Sequence, residues 1–300
     1  MLPVEPIKNR LNLDVKAVVL ATDLGDWSHN AGEFAALFAR HFAAKLVISH
    51  VFLPSQAAME VEAEGTPVSG QRKELASLLA QRASVLSVSA RVETVPVLLD
   101  GTPEEAIPRL AAEYAPSLIA MGTHGGSRLE RMVMGSVAEK ILRSTPWPCL
   151  TVGPRVAAIS SANDLPFRRI LYATDLTPAA AHAAAYAVFL AETLGAKIDV
   201  LHVVHGGEHD REERTEDLRR RFRESLEGLV PRHAEEFCQA SAFVEFGSAH
   251  QRILEHIKEH GIDLLVLGIR KTPHLGLEMR TSAAFQLPAA ATCPVLTVTG

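Results

Sequence analysis

Cysteine is scarce: the 300-residue chain holds three, Cys149, Cys238 and Cys293. The number is odd and two of them sit in apolar segments, which argues against a disulfide framework and for buried free thiols. Charge of one sign is lacking as well. The net charge is −5, with 14 basic against 16 acidic residues up to Gly153 and 16 against 19 beyond it. Neither half has the basic excess of a nucleic-acid binder, so no nucleic-acid partner is expected. No stretch approaches the roughly 20 apolar residues of a membrane span. The opening MLPVEPIKNRLNLDV lacks the apolar core of a signal peptide. A cytoplasmic protein without a membrane partner is the expectation. Also missing are G-x-x-x-x-G-K-[ST], G-x-G-x-x-G, G-x-S-x-G, H-E-x-x-H and C-x-x-C. Their absence removes the P-loop, the dinucleotide fingerprint, the nucleophile elbow, the zinc-protease helix and the dithiol motif.

What the chain does have is apolar residues in the right order. At 47% hydrophobic and 22% charged, it is long enough for about two ordinary domains with their own cores. From Lys16 it reads KAVVLATDL, a continuous apolar run suited to a strand buried on both faces. A helix is expected over Ser28 to Ala43, a strand over Lys45 to Val51, and a polar loop from Pro54 to Gly70. Then come a helix from about Gln71 to Val85, a strand from Arg91 to Leu98, and a helix from about Pro103 to Ala115. An apolar strand runs into Gly122, a helix starts near Ser136, and a strand covers Cys149 to Val152. Strands alternating with helices imply a parallel sheet with helices on both faces, an α/β fold.

The second half repeats the first. Ile170 to Leu176 restates Val18 to Leu24, and Leu201-His202-Val203 restates Ser49-His50-Val51, both 152 residues on. Asp175 is therefore the counterpart of Asp23. Past the middle the offset becomes 146, so that Gly268 answers Gly122 and Pro294 to Val298 answers Pro148 to Val152. A period near 150 residues is too long for a solenoid unit and fits a duplicated domain. The expected units are 1–153 and 154–300, with a linker at about 153–168.

The chemistry concentrates in Leu118 to Val137. Gly122-Thr123-His124-Gly125-Gly126 follows an apolar run, and Gly135-Ser136 opens a helix nine residues after Gly125. Glycines there let a ligand approach the main chain. Ser136 and Glu139 stand at capping-box spacing, so Ser136 is a candidate N-cap of an ordinary helix. Free amides at a helix start also bind phosphate, and both readings hold together. In a doubly wound sheet the ends of the first and fourth strands share the ligand crevice, which brings Asp23 beside Gly122. Asp23 also suits a turn or a helix cap.

Gly122-x-x-Gly125, nine residues, then Gly135-Ser136 resembles the ATP-binding signature of the universal stress protein family. That resemblance implies two tandem Rossmann-like, adenine nucleotide alpha hydrolase-like domains, each with a five-stranded, mostly parallel sheet. It implies ATP, optionally with Mg²⁺ near Asp23, in the first domain. Asp23 would lie near the nucleoside, the Val51 backbone at adenine, and Gly122 and Gly125 along ribose and phosphates. Gly135, Ser136 and Val137 would hold the phosphates, with Arg128, Arg131 and His124 as secondary candidates. The family commonly pairs its domains. A duplicated chain would satisfy that pairing internally, through Cys149–Val152 and Pro294–Val298 as edge strands, and further association of whole chains stays open.

The second half departs from the signature: Lys271 replaces Gly125 and Thr281-Ser282 replaces Gly135-Ser136. Side chains there obstruct close backbone approach, so this half is expected to be degenerate. His202, His205, His209 and Asp210 are read as strand-end and loop residues, not a metal site. His256 and His260 are read as an ordinary helix ending favoured by the dipole. The run Arg211 to Glu224 reads as a solvated helix face or a partner surface. The functional expectation is an ATP-binding sensor or regulator of the stress response. A nucleotide-independent, chaperone-like interaction module and a slow ATPase are the alternatives, and phosphoryl transfer lacks a second marked carboxylate.

Overall fold

A computed structural model describes residues 15–25, 28–53, 68–123, 134–159, 165–204, 220, 239–270 and 283–300. The first half runs β1 (Ala17–Ala21), α1 (Ser28–His41), β2 (Lys45–Phe52), α2 (Val68–Ala90), β3 (Thr94–Asp100), α3 (Pro103–Glu113), β4 (Ser117–Gly122), α4 (Ser136–Ser144) and β5 (Cys149–Val152). The second runs β6 (Arg169–Thr174), α5 (Pro178–Leu194), β7 (Lys197–Val204), β8 (Ala240–Phe246), α6 (Ala249–His260), β9 (Leu264–Ile269), α7 (Ala283–Ala290) and β10 (Val295–Thr299).

These strands join in a single ten-stranded sheet of order β3-β2-β1-β4-β5-β10-β9-β6-β7-β8. Every pairing is parallel except one, the antiparallel contact of β5 with β10. Ala17 to Leu20 of β1 are wholly buried, as an apolar run covered on both faces must be. The strand order reverses between β1 and β4, and again between β6 and β9, which sets the two crevices of a doubly wound sheet.

The antiparallel seam is self-complementary. Val295, Leu296 and Thr297 stand opposite Thr151, Leu150 and Cys149. The Thr151 hydroxyl donates to the Val295 carbonyl at 3.1 Å, and its repeat counterpart Thr297 donates to the Cys149 carbonyl at 3.2 Å. The two edge strands singled out from the sequence thus meet each other within one chain. On one face of the sheet the core is continuous across the seam. Phe167 is fully buried there, 6.0 Å from the Phe34 ring and 5.6 Å from that of Phe38. On the other face, Phe285 of α7 packs into the first-half core, and the Arg143 guanidinium lies 4.4 Å over its ring.

Most expected elements are found, with shifted ends. α2 extends to Ala90 because Leu79, Ala83, Leu86 and Ala90 continue its buried stripe. β3 starts at Thr94 because Arg91 takes a left-handed φ of 54° and ends the helix first. Cys149 and Cys293 are free and buried, and Cys238 lies outside the described residues. Among the described residues no helix is long and apolar enough to cross a membrane.

Burial raises the thiol pKa of Cys149 and pushes that of Cys293 up to about 12. Thiolate is the reactive form, so both cysteines are expected to resist alkylation at pH 8 in the native protein and to label fully in denaturant, as peptide mass spectrometry would show. Gly153 leaves no room for a side chain: a Cβ there would lie 2.5 Å from the Pro288 carbonyl oxygen of α7. Gly153→Ala is expected to cost about 1–3 kcal/mol, read as a lower midpoint in urea unfolding.

Candidate functional site

The turn after β1 builds one wall. Leu24 adopts φ 62°, a left-handed conformation uncommon for a bulky residue. It is held by its amide donating to the Thr22 hydroxyl at 3.0 Å. Thr22 Oγ1 also meets Ser28 Oγ at 2.8 Å, and Ser28 Oγ lies 2.8 Å from the Gly25 carbonyl oxygen. The Asp23 carboxylate accepts the Gly25 amide at 3.0 Å, the turn-capping role that short carboxylates favour. From β2, His50 Nδ1 lies 2.8 Å from the Thr22 carbonyl. A carbonyl only accepts, so Nδ1 carries the proton.

The opposite wall comes from β4 and the start of α4. The Thr123 amide donates to the Val152 carbonyl at 3.2 Å, and the Gly135 amide donates to the Thr123 carbonyl at 2.8 Å. The two ends of the glycine loop are thereby fixed against each other and against β5. Here the cap expectation is corrected: Gly135, with φ −62° and ψ 148°, is the N-cap, and Ser136 is the first helical residue. Glu139 does not close a capping box. Its carboxylate is engaged one turn on by Arg143, at 2.7 Å, an ion pair that outcompetes the helix start. A glycine cap supplies no side-chain acceptor, so among the described residues no side chain caps the first amides of α4, which stand at the positive end of the helix dipole where solvent or an anion is favoured. Lys140 braces α4 against α3 through Glu104 at 2.6 Å.

Between these walls lies a cavity of about 290 Å³, near the lower end of small-molecule sites at ~300–1,000 Å³. Six of the seven sequence-derived candidates line it: Asp23, Val51, Gly122, Gly135, Ser136 and Val137. Gly125 lies outside the described residues, as do His124, Arg128 and Arg131. The cavity also takes in Thr22, Ser28, Ser49, His50, Thr123 and the apolar Ile107, Met121 and Ile141, which sequence reasoning had not assigned to the site. The restatement of Ser49-His50-Val51 as Leu201-His202-Val203 was the available signal for His50. The α3 wall had none. Asp23 is the single acidic side chain among the described lining residues.

In the second half the same turn recurs. Leu176 has φ 62°, its amide donates to the Thr174 hydroxyl at 3.0 Å, and His202 Nδ1 holds the Thr174 carbonyl at 2.8 Å. Asp175 accepts both the Thr177 amide at 3.0 Å and the Thr177 hydroxyl at 2.6 Å. Lys271, Thr281 and Ser282 lie outside the described residues, as do His205, His209 and Asp210 and, apart from Arg220, the run 211–224. His256 and His260 lie in the last turns of α6 before the Gly261 cap, as expected, but His256 does more than end a helix. It is 2% exposed and paired with Asp199, a carboxylate that sequence reasoning had passed over.

A model described as the universal stress protein family matches residues 15–153 and again 166–299. Universal stress protein MJ0531 of Methanocaldococcus jannaschii is 31% identical over 153 residues, 49% of this chain and 86% of that protein. Universal stress protein YxiE of Bacillus subtilis is 30% identical over 146 residues, 44% of this chain and 99% of that protein. In fold, the chain is similar to the crystal structure of a universal stress protein from Archaeoglobus fulgidus, with TM-score 0.69 and 21% identity, covering 95% of this chain and 98% of that one.

The Thr22 hydroxyl makes two of the hydrogen bonds that shape the turn carrying Asp23. Thr22→Val keeps the shape and removes two hydrogen bonds. It is expected to cost about 1–2 kcal/mol in urea unfolding, and to raise hydrogen exchange at the Leu24 amide.

Proposed function

The chain belongs to the universal stress protein family, and on that footing we propose that its first half binds an adenine nucleotide, ATP with or without Mg²⁺, as a sensor in the stress response. The observation that carries the reading is the glycine-capped N-terminus of α4, which opens onto the same cavity as Asp23 at the β1/β4 switch point. Helix-start amides that no side chain of the described residues caps favour an anion such as a phosphate chain. Gly135, Ser136 and Val137 are the proposed phosphate ligands. Gly122 allows close approach, and Gly125 is carried into the set by the family resemblance. Asp23 suits ribose hydroxyls or a nucleotide-bound Mg²⁺. Ile107, Met121 and the Val51 main chain suit an apolar base with a polar edge. With one acidic side chain among the described lining residues, the site is proposed to hold nucleotide, not to turn it over quickly.

The proposed units remain 1–153 and 154–300, with one nucleotide per chain, because Lys271 and Thr281 replace two signature glycines in the second. The second unit then serves as a built-in pairing partner. A cytoplasmic location follows the same reading.

Calorimetric titration of nucleotide-stripped protein with ATP and Mg²⁺ is expected to give one site. Gly135→Trp should abolish it and Thr281→Trp should leave it intact. Asp23→Ala should weaken it about tenfold, ~1.4 kcal/mol. A folded wild type that binds no ATP would overturn the proposal in favour of an interaction module, and two sites would overturn the asymmetry.

A further inference from the structure

Away from the crevice, the second half contains a polar cluster that its fold does not require. Asp199, in the middle of β7, is 1% exposed. His256 Nε2 donates to its Oδ2 at 3.0 Å, and Arg169 Nε lies 3.1 Å from Oδ2 and 3.3 Å from Oδ1. His260 is one turn beyond His256 on α6, with Nδ1 3.9 Å from the same Oδ2. The two imidazoles stack at 4.0 Å, and Phe243 of β8 packs edge-on against both. The other ring nitrogen of His256, Nδ1, is buried and has no partner among the described residues.

The repeat supplies the comparison. At offsets of 152 and 146, the first-half counterparts of Arg169, Asp199, Phe243, His256 and His260 are Ala17, Val47, Val97, Leu110 and Tyr114. Ala17, Val47 and Leu110 are buried in an ordinary apolar core, with Ala17 and Val47 wholly buried, and the partly buried Val97 and Tyr114 pack against it. The same architecture therefore closes this layer without a charge. Burying a carboxylate and an imidazole there, with a second imidazole half-buried beside them, is unfavourable unless they are compensated, and among the described residues the network is only partly satisfied.

We propose that Asp199, His256 and His260 form a site for a divalent first-row transition ion, with Zn²⁺ the best-suited occupant. Two imidazoles and one carboxylate are a donor set for such ions, and histidines four apart on a helix present both rings on one face. Tetrahedral zinc places neighbouring N and O ligands about 3.3 Å apart. The separations from Asp199 Oδ2 are 3.0 and 3.9 Å, and one donor atom from each of the three residues lies within 4.8 Å of the others. Because the two rings are stacked with their planes 14° apart, the part-exposed His260 has to turn out of the stack for both lone pairs to meet one ion. His260 keeps 29% of its side chain exposed, which gives the ion a route in and a solvent molecule a place as fourth ligand. Arg169 anchors the carboxylate from beside the donor atoms, the outer-partner role that orients metal ligands. Its positive charge also holds the affinity down, so the ion exchanges instead of serving as a folding staple. The site is independent of nucleotide.

The test uses the full chain, stripped with chelator and titrated with Co²⁺, followed by its d–d absorption and then by displacement with Zn²⁺. One equivalent of Co²⁺ with the intense band of a four- or five-coordinate ion is expected. Loss of an outer partner alone typically weakens such sites 10–100-fold, so His260→Ala, at a part-exposed position, should weaken binding by at least about tenfold with the fold intact. The triple variant Arg169→Ala, Asp199→Val, His256→Leu installs the first half's apolar residues and should abolish the band while keeping the far-UV circular dichroism. No cobalt band from folded wild type, or a band unchanged in His260→Ala, would overturn the site and leave the cluster a buried charge network.

Discussion

The antiparallel contact of β5 with β10 is the constraint on which the rest of the molecule depends. Two parallel five-stranded units each end in a strand with one unpaired edge, and an exposed flat edge is a liability that proteins must close. Here each edge closes the other, backbone to backbone and through the reciprocal hydroxyls of Thr151 and Thr297. The seam inverts one unit relative to the other. It brings Phe34, Phe38 and Phe167 into one buried group and lays α7 against the first unit, close enough that Gly153 must lack a side chain.

Much of this was legible in the sequence, because the hydrophobic pattern and the turns are duplicated. Continuous apolar runs such as AVVLA announce doubly covered strands. The two-step offset of 152 then 146 gave the duplication and its counterpart positions without coordinates. The placement of Asp23 beside Gly122 followed from topology alone, and the cavity contains both. The cap at α4 was misassigned because Ser136 and Glu139 fit a local rule, whereas Arg143, one turn further on, offers Glu139 a stronger partner. Local spacing does not show which of two partners wins.

Asp199 with His256 and His260 was illegible for a different reason. Asp199 is more than fifty positions from the two histidines, and β7 reads as a mostly apolar strand in which Asp199 is one of three polar residues, with Lys197 and His202. Only the parallel sheet and the packing of α6 across it bring the donors together. The duplicated turn shows the complementary behaviour. Leu24 and Leu176 share φ 62°, and His50 and His202 hold equivalent carbonyls. Geometry was retained in both units while the chemistry around it diverged: glycines in one become Lys271 and Thr281 in the other, and Ala17, Val47 and Leu110 become Arg169, Asp199 and His256.

Because the seam joins two parts of one covalent chain, its formation is unimolecular. A tether of this kind holds its ends at an effective concentration in the millimolar range, so the pairing does not fall apart on dilution, and its strength does not vary with how much protein a cell makes. Two separate single units meeting through such an edge would obey mass action and would separate as their level dropped. A tandem chain pairs as soon as it has folded, at one copy per cell as at thousands.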